Sequence, residues 1–165
     1  MATTPDQHKA DAPDSVRCAV ITLSDTRTLE TDTGGQTVVD RLSAAGHDVV
    51  YRDIIPDEPE QLRCLLEQFR DQSDIDCVLL TGGTGISARD QTFETVSELL
   101  TRSLPGYGEL FRMLSYQEIG PAAMLSRATG GLMKSTLLLT MPCLLYTSDA
   151  ADEGLGVDLG GRRII

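Results

Sequence analysis

The run LLTGGTGISARD, residues 79–90, is the part of the chain best suited to chemistry. Gly82, Gly83 and Gly85 follow an apolar stretch, and without side chains their backbone N–H groups lie open to close approach by a ligand. Such a series of N–H groups, with Thr81 and Thr84 among them, makes a nest suited to phosphate. The same residues also suit a tight strand-to-helix turn, and spacing alone leaves both readings open. The Walker pattern fails because no lysine closes the loop. A dinucleotide fingerprint fits loosely, as Gly83-x-Gly85-x-x-Ala88. It lacks the downstream ribose-binding acid and does not open the domain, which weakens a nicotinamide dinucleotide oxidoreductase reading.

Asp90 stands directly after this loop. A carboxylate beside a phosphate nest is costly unless a cation lies between them, and Mg²⁺ takes oxygen ligands and bridges phosphates. Asp90 could instead cap a helix starting at Thr92, and spacing alone favours the cap. Asp57 has the same double reading, as metal ligand or helix-start residue. Ser24 and Asp25, after the first apolar run, could meet a ligand or shape a turn. Arg112 and Arg127 could each neutralise a phosphate, or be solvated surface groups.

These residues must be held by the elements around them. Arg17–Leu23, Asp48–Ile55, 76–80 and 135–141 read as strands. Apolar residues at helical spacing predict helices over 36–45, 59–72 and about 92–102. Residues 105–132 are expected to form short helices around the Pro105-Gly106 turn. Strands alternating with helices imply an α/β fold: a mostly parallel sheet with helices on both faces, in three α/β/α layers. Loops 24–35, 56–58 and 81–90 each follow a strand and should share the sheet edge where ligands bind.

Composition narrows the function. One domain is expected from 165 residues. A formal net charge of −11 disfavours nucleic acid and anionic membrane as partners. An aromatic content of 4%, with no Trp, disfavours base-stacking surfaces. Cys18, Cys64, Cys77 and Cys143 form no Cys-x-x-Cys pair and lie near neither His8 nor His47. Zinc and a disulfide framework are therefore not expected, and Cys18 and Cys77 read as core residues. Residues 1–15 are polar and read as a disordered arm without a signal peptide, so a cytoplasmic location is expected.

Taken together, TLSDT (22–26), DTGG (32–35), IIPDE (54–58), LLTGGTGISARDQTFE (79–94), PGYGELFRMLSYQEIGPAAMLSRATGG (105–131) and LLLTMP (137–142) resemble the MoaB/MogA family of molybdopterin-binding enzymes in molybdenum cofactor biosynthesis. The resemblance covers residues 16–142, the expected molybdopterin-binding domain. It implies the MogA-like three-layer fold, a homotrimer, and Mg²⁺- and ATP-dependent adenylylation of molybdopterin with release of pyrophosphate. The product would pass to a molybdenum-insertion enzyme. The resemblance assigns Asp57 and Asp90 as the catalytic acids, which are expected to hold Mg²⁺, and Thr81, Gly82, Gly83, Thr84 and Gly85 as the cradle for the pterin and its phosphate. A non-catalytic molybdopterin carrier of the same fold is the alternative, and retention of both acids favours the enzyme.

The resemblance stops after Pro142. Residues 143–165 begin CLLYTSDAADE, which resembles a translated sequencing adaptor. They are expected to be a non-native tail that replaces a substrate-lining loop and a closing helix, leaving the fold C-terminally truncated.

Overall fold

The computed structural model describes residues 13–72 and 74–142. The expectations for most of the N-terminal arm and for the whole tail at 143–165 lie outside the described residues. Six strands form one sheet, β1 (Arg17–Leu23), β2 (Asp48–Ile55), β3 (Cys77–Thr81), β4 (Arg102–Ser103), β5 (Gly130–Met133) and β6 (Thr136–Met141), in the order β2-β1-β3-β6-β5-β4. The first four strands of that order are parallel, and β5 runs antiparallel to both β6 and β4.

Period-two alternation along the strands divides the core between two faces. Ala19, Ile21, Leu23, Val78, Leu80 and Leu138 pack against Leu62, Leu66 and Phe69 of α2 (Pro59–Asp71) and Val96 of α3 (Thr92–Leu99). Cys18, Val20, Cys77 and Leu79 face the other way, onto Val38 and Leu42 of α1 (Thr33–Ala44) and Phe111 of α4 (Pro105–Ile119). The expected three layers are present.

Two expectations are corrected. Residues 105–119 form one continuous helix, because Pro105 sits in its first turn, where a missing N–H and a fixed φ favour the start of a helix. Gly120, at φ +63°, ends it, and a 3₁₀ turn follows over Gly120–Leu125. The helix expected to reach 102 stops at Leu99, and Thr101 N then donates to Leu132 O at 2.8 Å. That bond leads into the β4–β5 pair, where a Cβ on Gly131 would lie 2.2 Å from Arg102 O. Glycine therefore permits the pairing while removing the apolar signal that marks a strand.

Register brings the loops together. Leu23 pairs with Ile55, Thr22 with Thr81, and Thr81 with Met141, so β1, β2, β3 and β6 end along one edge.

Candidate functional site

The Gly-rich loop leaves β3 through a sharp turn. Gly82 has φ +104° and Gly83 φ +61°, conformations that L side chains rarely adopt. Gly82 N donates to Met141 O at 3.0 Å, and a Cβ on Gly82 would lie 2.4 Å from Leu23 O. The turn is thus pressed onto the ends of β1 and β6. At Gly83 a Cβ would lie 2.1 Å from Thr92 Oγ1 and 2.9 Å from Asp57 Oδ1. At Gly85 it would lie 2.8 Å from Asp90 Oδ2. The missing side chains let both acids approach the loop backbone.

The structure separates the expected residues by role. Thr81 and Gly82 are buried and shape the turn, whereas Gly83 and Gly85 are partly open. Thr84 is also buried, and its Oγ1, like that of Thr92, has no hydrogen-bond partner. These two unsatisfied hydroxyls lie eight positions apart in the chain, and such groups are unusual inside a protein. Ser24 Oγ accepts from Thr26 N and Arg27 N at 3.3 and 3.2 Å, so it holds a turn. Asp25 Oδ1 accepts from Asp57 N at 3.2 Å, tying the β1 loop to the β2 loop.

Neither catalytic candidate caps a helix. The residue capping α2 is Glu58 and that capping α3 is Gln91, neither with a side-chain cap bond. Asp90 instead turns back to accept from Ser87 N at 2.8 Å. The cap that spacing favoured for Asp90 is therefore absent, because the loop's own turn takes up the carboxylate first. Burial, then the negative charges of Asp90 and Asp25, raise the pKa of Asp57 above its ordinary value, and Arg89 opposes them.

Arg89 was not anticipated. Its Nη2 lies 2.8 Å from Asp25 Oδ2 and 3.6 Å from Glu58 Oε1, spanning all three loops. Its adjacency to Asp90 was the only hint in the sequence. Asp32 was also missed, though an Asp before Thr33-Gly34-Gly35 carries the signature of an N-cap. It is 1% exposed and accepts from Thr22 Oγ1 at 2.7 Å and from Gly35 N at 3.0 Å, with Arg27 and Arg52 beside it at 3.5 and 3.7 Å.

Arg112 and Arg127 are both anchored by hydrogen bonds to backbone carbonyls. Arg112 Nη1 donates to Ser126 O and Ala128 O at 3.3 and 3.4 Å, joining α4 to the chain before β5. Arg127 is bonded to the Gly-rich loop itself and forms a wall of the adjoining cleft, about 300 Å³, lined also by Ser87, Asp90, Gln91 and Glu94.

Mg²⁺ suits this donor set under one condition. Asp57 and Asp90 repel each other across the loop, but among the described residues no group of three or more His, Cys, Asp or Glu side chains is placed to hold a metal. Mg²⁺ commonly uses one or two carboxylates and completes its shell with phosphate oxygens and water. The pair therefore fits a cation that arrives with a polyphosphate.

Known proteins share both the sequence and the fold. The family model described as "Probable molybdopterin binding domain" matches residues 19–145. Over 138 residues the chain is 49% identical to molybdenum cofactor biosynthesis protein B of Bacillus subtilis (strain 168), covering 82% of this chain and 81% of that one. It is 46% identical to the protein of the same name from Halalkalibacterium halodurans, covering 83% and 81%. A crystal structure of molybdenum cofactor biosynthesis protein B superposes with a TM-score of 0.78 at 43% identity, over 94% of this chain and 91% of the other. The tungsten cofactor synthesizing protein MoaB from Pyrococcus furiosus superposes with a TM-score of 0.71 at 34% identity, over 87% and 89%. No described helix is long and apolar enough to cross a membrane. The chain therefore belongs to the molybdopterin-binding domain family of molybdenum cofactor biosynthesis, alongside the MoaB proteins.

Proposed function

We propose that this protein transfers AMP from ATP to molybdopterin at the edge formed by loops 24–35, 56–58 and 81–90. The observation that carries this reading is the approach of Asp57 and Asp90 to opposite ends of the glycine run, at Gly83 and Gly85, with neither acid used as a helix cap.

The chemistry asks little of the protein in covalent terms. A terminal phosphate oxygen of molybdopterin attacks the α-phosphorus of ATP. The new P–O bond forms as the bond to pyrophosphate breaks, and pyrophosphate leaves with that electron pair. The nucleophile is already anionic, so no general base is needed. Positioning and charge neutralisation supply the rate. Gly82 N–H is already given to Met141 O, which leaves the backbone N–H groups of 83–85 as the donors offered to phosphate oxygens. Asp57 and Asp90 would hold Mg²⁺, which offsets phosphate charge when bound.

The protein is further proposed to act in the cytoplasm and as a homotrimer, passing its product to a molybdenum-insertion enzyme. Free thiols at Cys18, Cys64 and Cys77 suit a reducing compartment. Met113, Tyr116, Met124 and Leu125, each at least half exposed on α4 and the 3₁₀ turn, offer an apolar face for self-association.

Asp90→Asn tests the reading. Turnover should be lost while molybdopterin still binds. Full turnover in the variant would rule out the role given to Asp90, and binding without turnover in the unaltered protein would favour a carrier.

A further inference from the structure

We infer that Arg127 is a positioning residue that fixes the Asp90 end of the Gly-rich loop, an inference that rests on the adenylyl-transfer reading. Arg127 comes from the chain before β5, far in sequence from the loop it holds. Its Nε donates to Gly85 O at 2.7 Å, and its Nη2 donates to Asp90 O. Its Nη1 pairs with the Glu94 carboxylate, and its guanidinium lies 5.5 Å from the centre of the Phe93 ring. Its own backbone N donates to Thr84 O at 3.0 Å.

The two carbonyls bracket residues 85–90. Within the bracket, Ser87 N donates to Asp90 Oδ2 at 2.8 Å and Asp90 N donates to Ser87 O at 3.0 Å. The segment has little apolar anchoring, since Ile86 is 69% exposed and Ser87, Ala88 and Arg89 face solvent. Arg127 thus sets where the Asp90 carboxylate stands relative to Gly85, and through Asp90 how well the loop presents a cation to phosphate. The role needs the planar fork of arginine. A lysine keeps the charge and can reach Glu94, but one ammonium cannot hold both carbonyls in that geometry.

Arg127→Lys is the test, with pyrophosphate release followed against Mg²⁺ and amide hydrogen exchange measured without ligand. Half-saturating Mg²⁺ should rise about tenfold or more, the scale expected for losing a charge-assisted hydrogen bond. Exchange at 85–90 should accelerate by a similar factor, with the amides of β1 and β3 unchanged. Unaltered exchange at 85–90, or an unaltered Mg²⁺ requirement, would overturn the inference. Glu94→Gln removes the ion pair and leaves the bracket, so a shift below about threefold is expected. A tenfold shift there would assign the effect to the ion pair and overturn the bracket. If the unaltered protein releases no pyrophosphate, the adenylyl-transfer reading fails separately, and the exchange measurement still decides whether Arg127 holds the loop.

Discussion

Replacing Gly83 by alanine should damage both the fold and the site, and the two contributions can be separated. Gly83 has φ +61°, where an L residue costs about 1–2 kcal/mol. The new Cβ would also lie 2.1 Å from Thr92 Oγ1 and 2.9 Å from Asp57 Oδ1. Relieving such overpacking costs about 1–3 kcal/mol. The sum, about 2–5 kcal/mol, is a large share of the roughly 5–15 kcal/mol that holds a typical domain folded. Gly46 is the control: its φ is +86°, and nothing lies within 4 Å of its Cβ position. Gly46→Ala should therefore carry only the backbone cost, about 1–2 kcal/mol. Urea unfolding of the two variants then isolates the contact cost. Adding Thr92→Ala to Gly83→Ala removes the nearest atom and should recover part of that cost, a non-additivity expected of touching residues. Pyrophosphate release should fall by about tenfold or more in Gly83→Ala, because Asp57 must move, and stay normal in Gly46→Ala. Equal urea midpoints and equal turnover in the two variants would refute the contact of Gly83 with Thr92 and Asp57 as the source of the extra cost.

Asp32→Ala should cost about 3–5 kcal/mol in urea unfolding, because it leaves Arg27 and Arg52 beside a vacated buried position and removes the cap on Gly35 N; a loss below about 1 kcal/mol would contradict this role. The raised pKa of Asp57 means that its proton favours the fold below the unfolded value of 3.8, and that this contribution is lost as pH rises through the folded value. Asp57→Asn should accordingly stabilise the unliganded protein at neutral pH while abolishing turnover, and lower stability there would refute the sign. Asp76 behaves oppositely: Arg17 donates to it and lowers its pKa, so its contribution is present above 3.8 and lost as pH falls through the lowered value. The destabilisation by Asp76→Ala should shrink in acid, as unfolding measured across that range would show.

The sequence revealed the convergence of the loops more readily than the contacts within them. β1 and β2 have the expected limits because RCAVITL and DVVYRDII are continuous runs with strong strand preference. Parallel topology then placed Asp25, Asp57 and the glycine run along one edge without further information. β4 and β5 were invisible because two short segments, one beginning Gly130-Gly131, pair through backbone proximity alone. The span of α4 was hidden by a Pro-Gly pair that reads locally as a turn. The roles of Arg89 and Arg127 depend on partners more than thirty residues away, and neither periodicity nor spacing encodes such partners.

Pyrophosphate release from ATP, measured with and without molybdopterin and with and without Mg²⁺, is the decisive measurement for adenylyl transfer by this protein. Release is expected only when both are present, and should be lost in Asp57→Asn and Asp90→Asn. Demonstrated molybdopterin binding with no release under any condition would contradict adenylyl transfer.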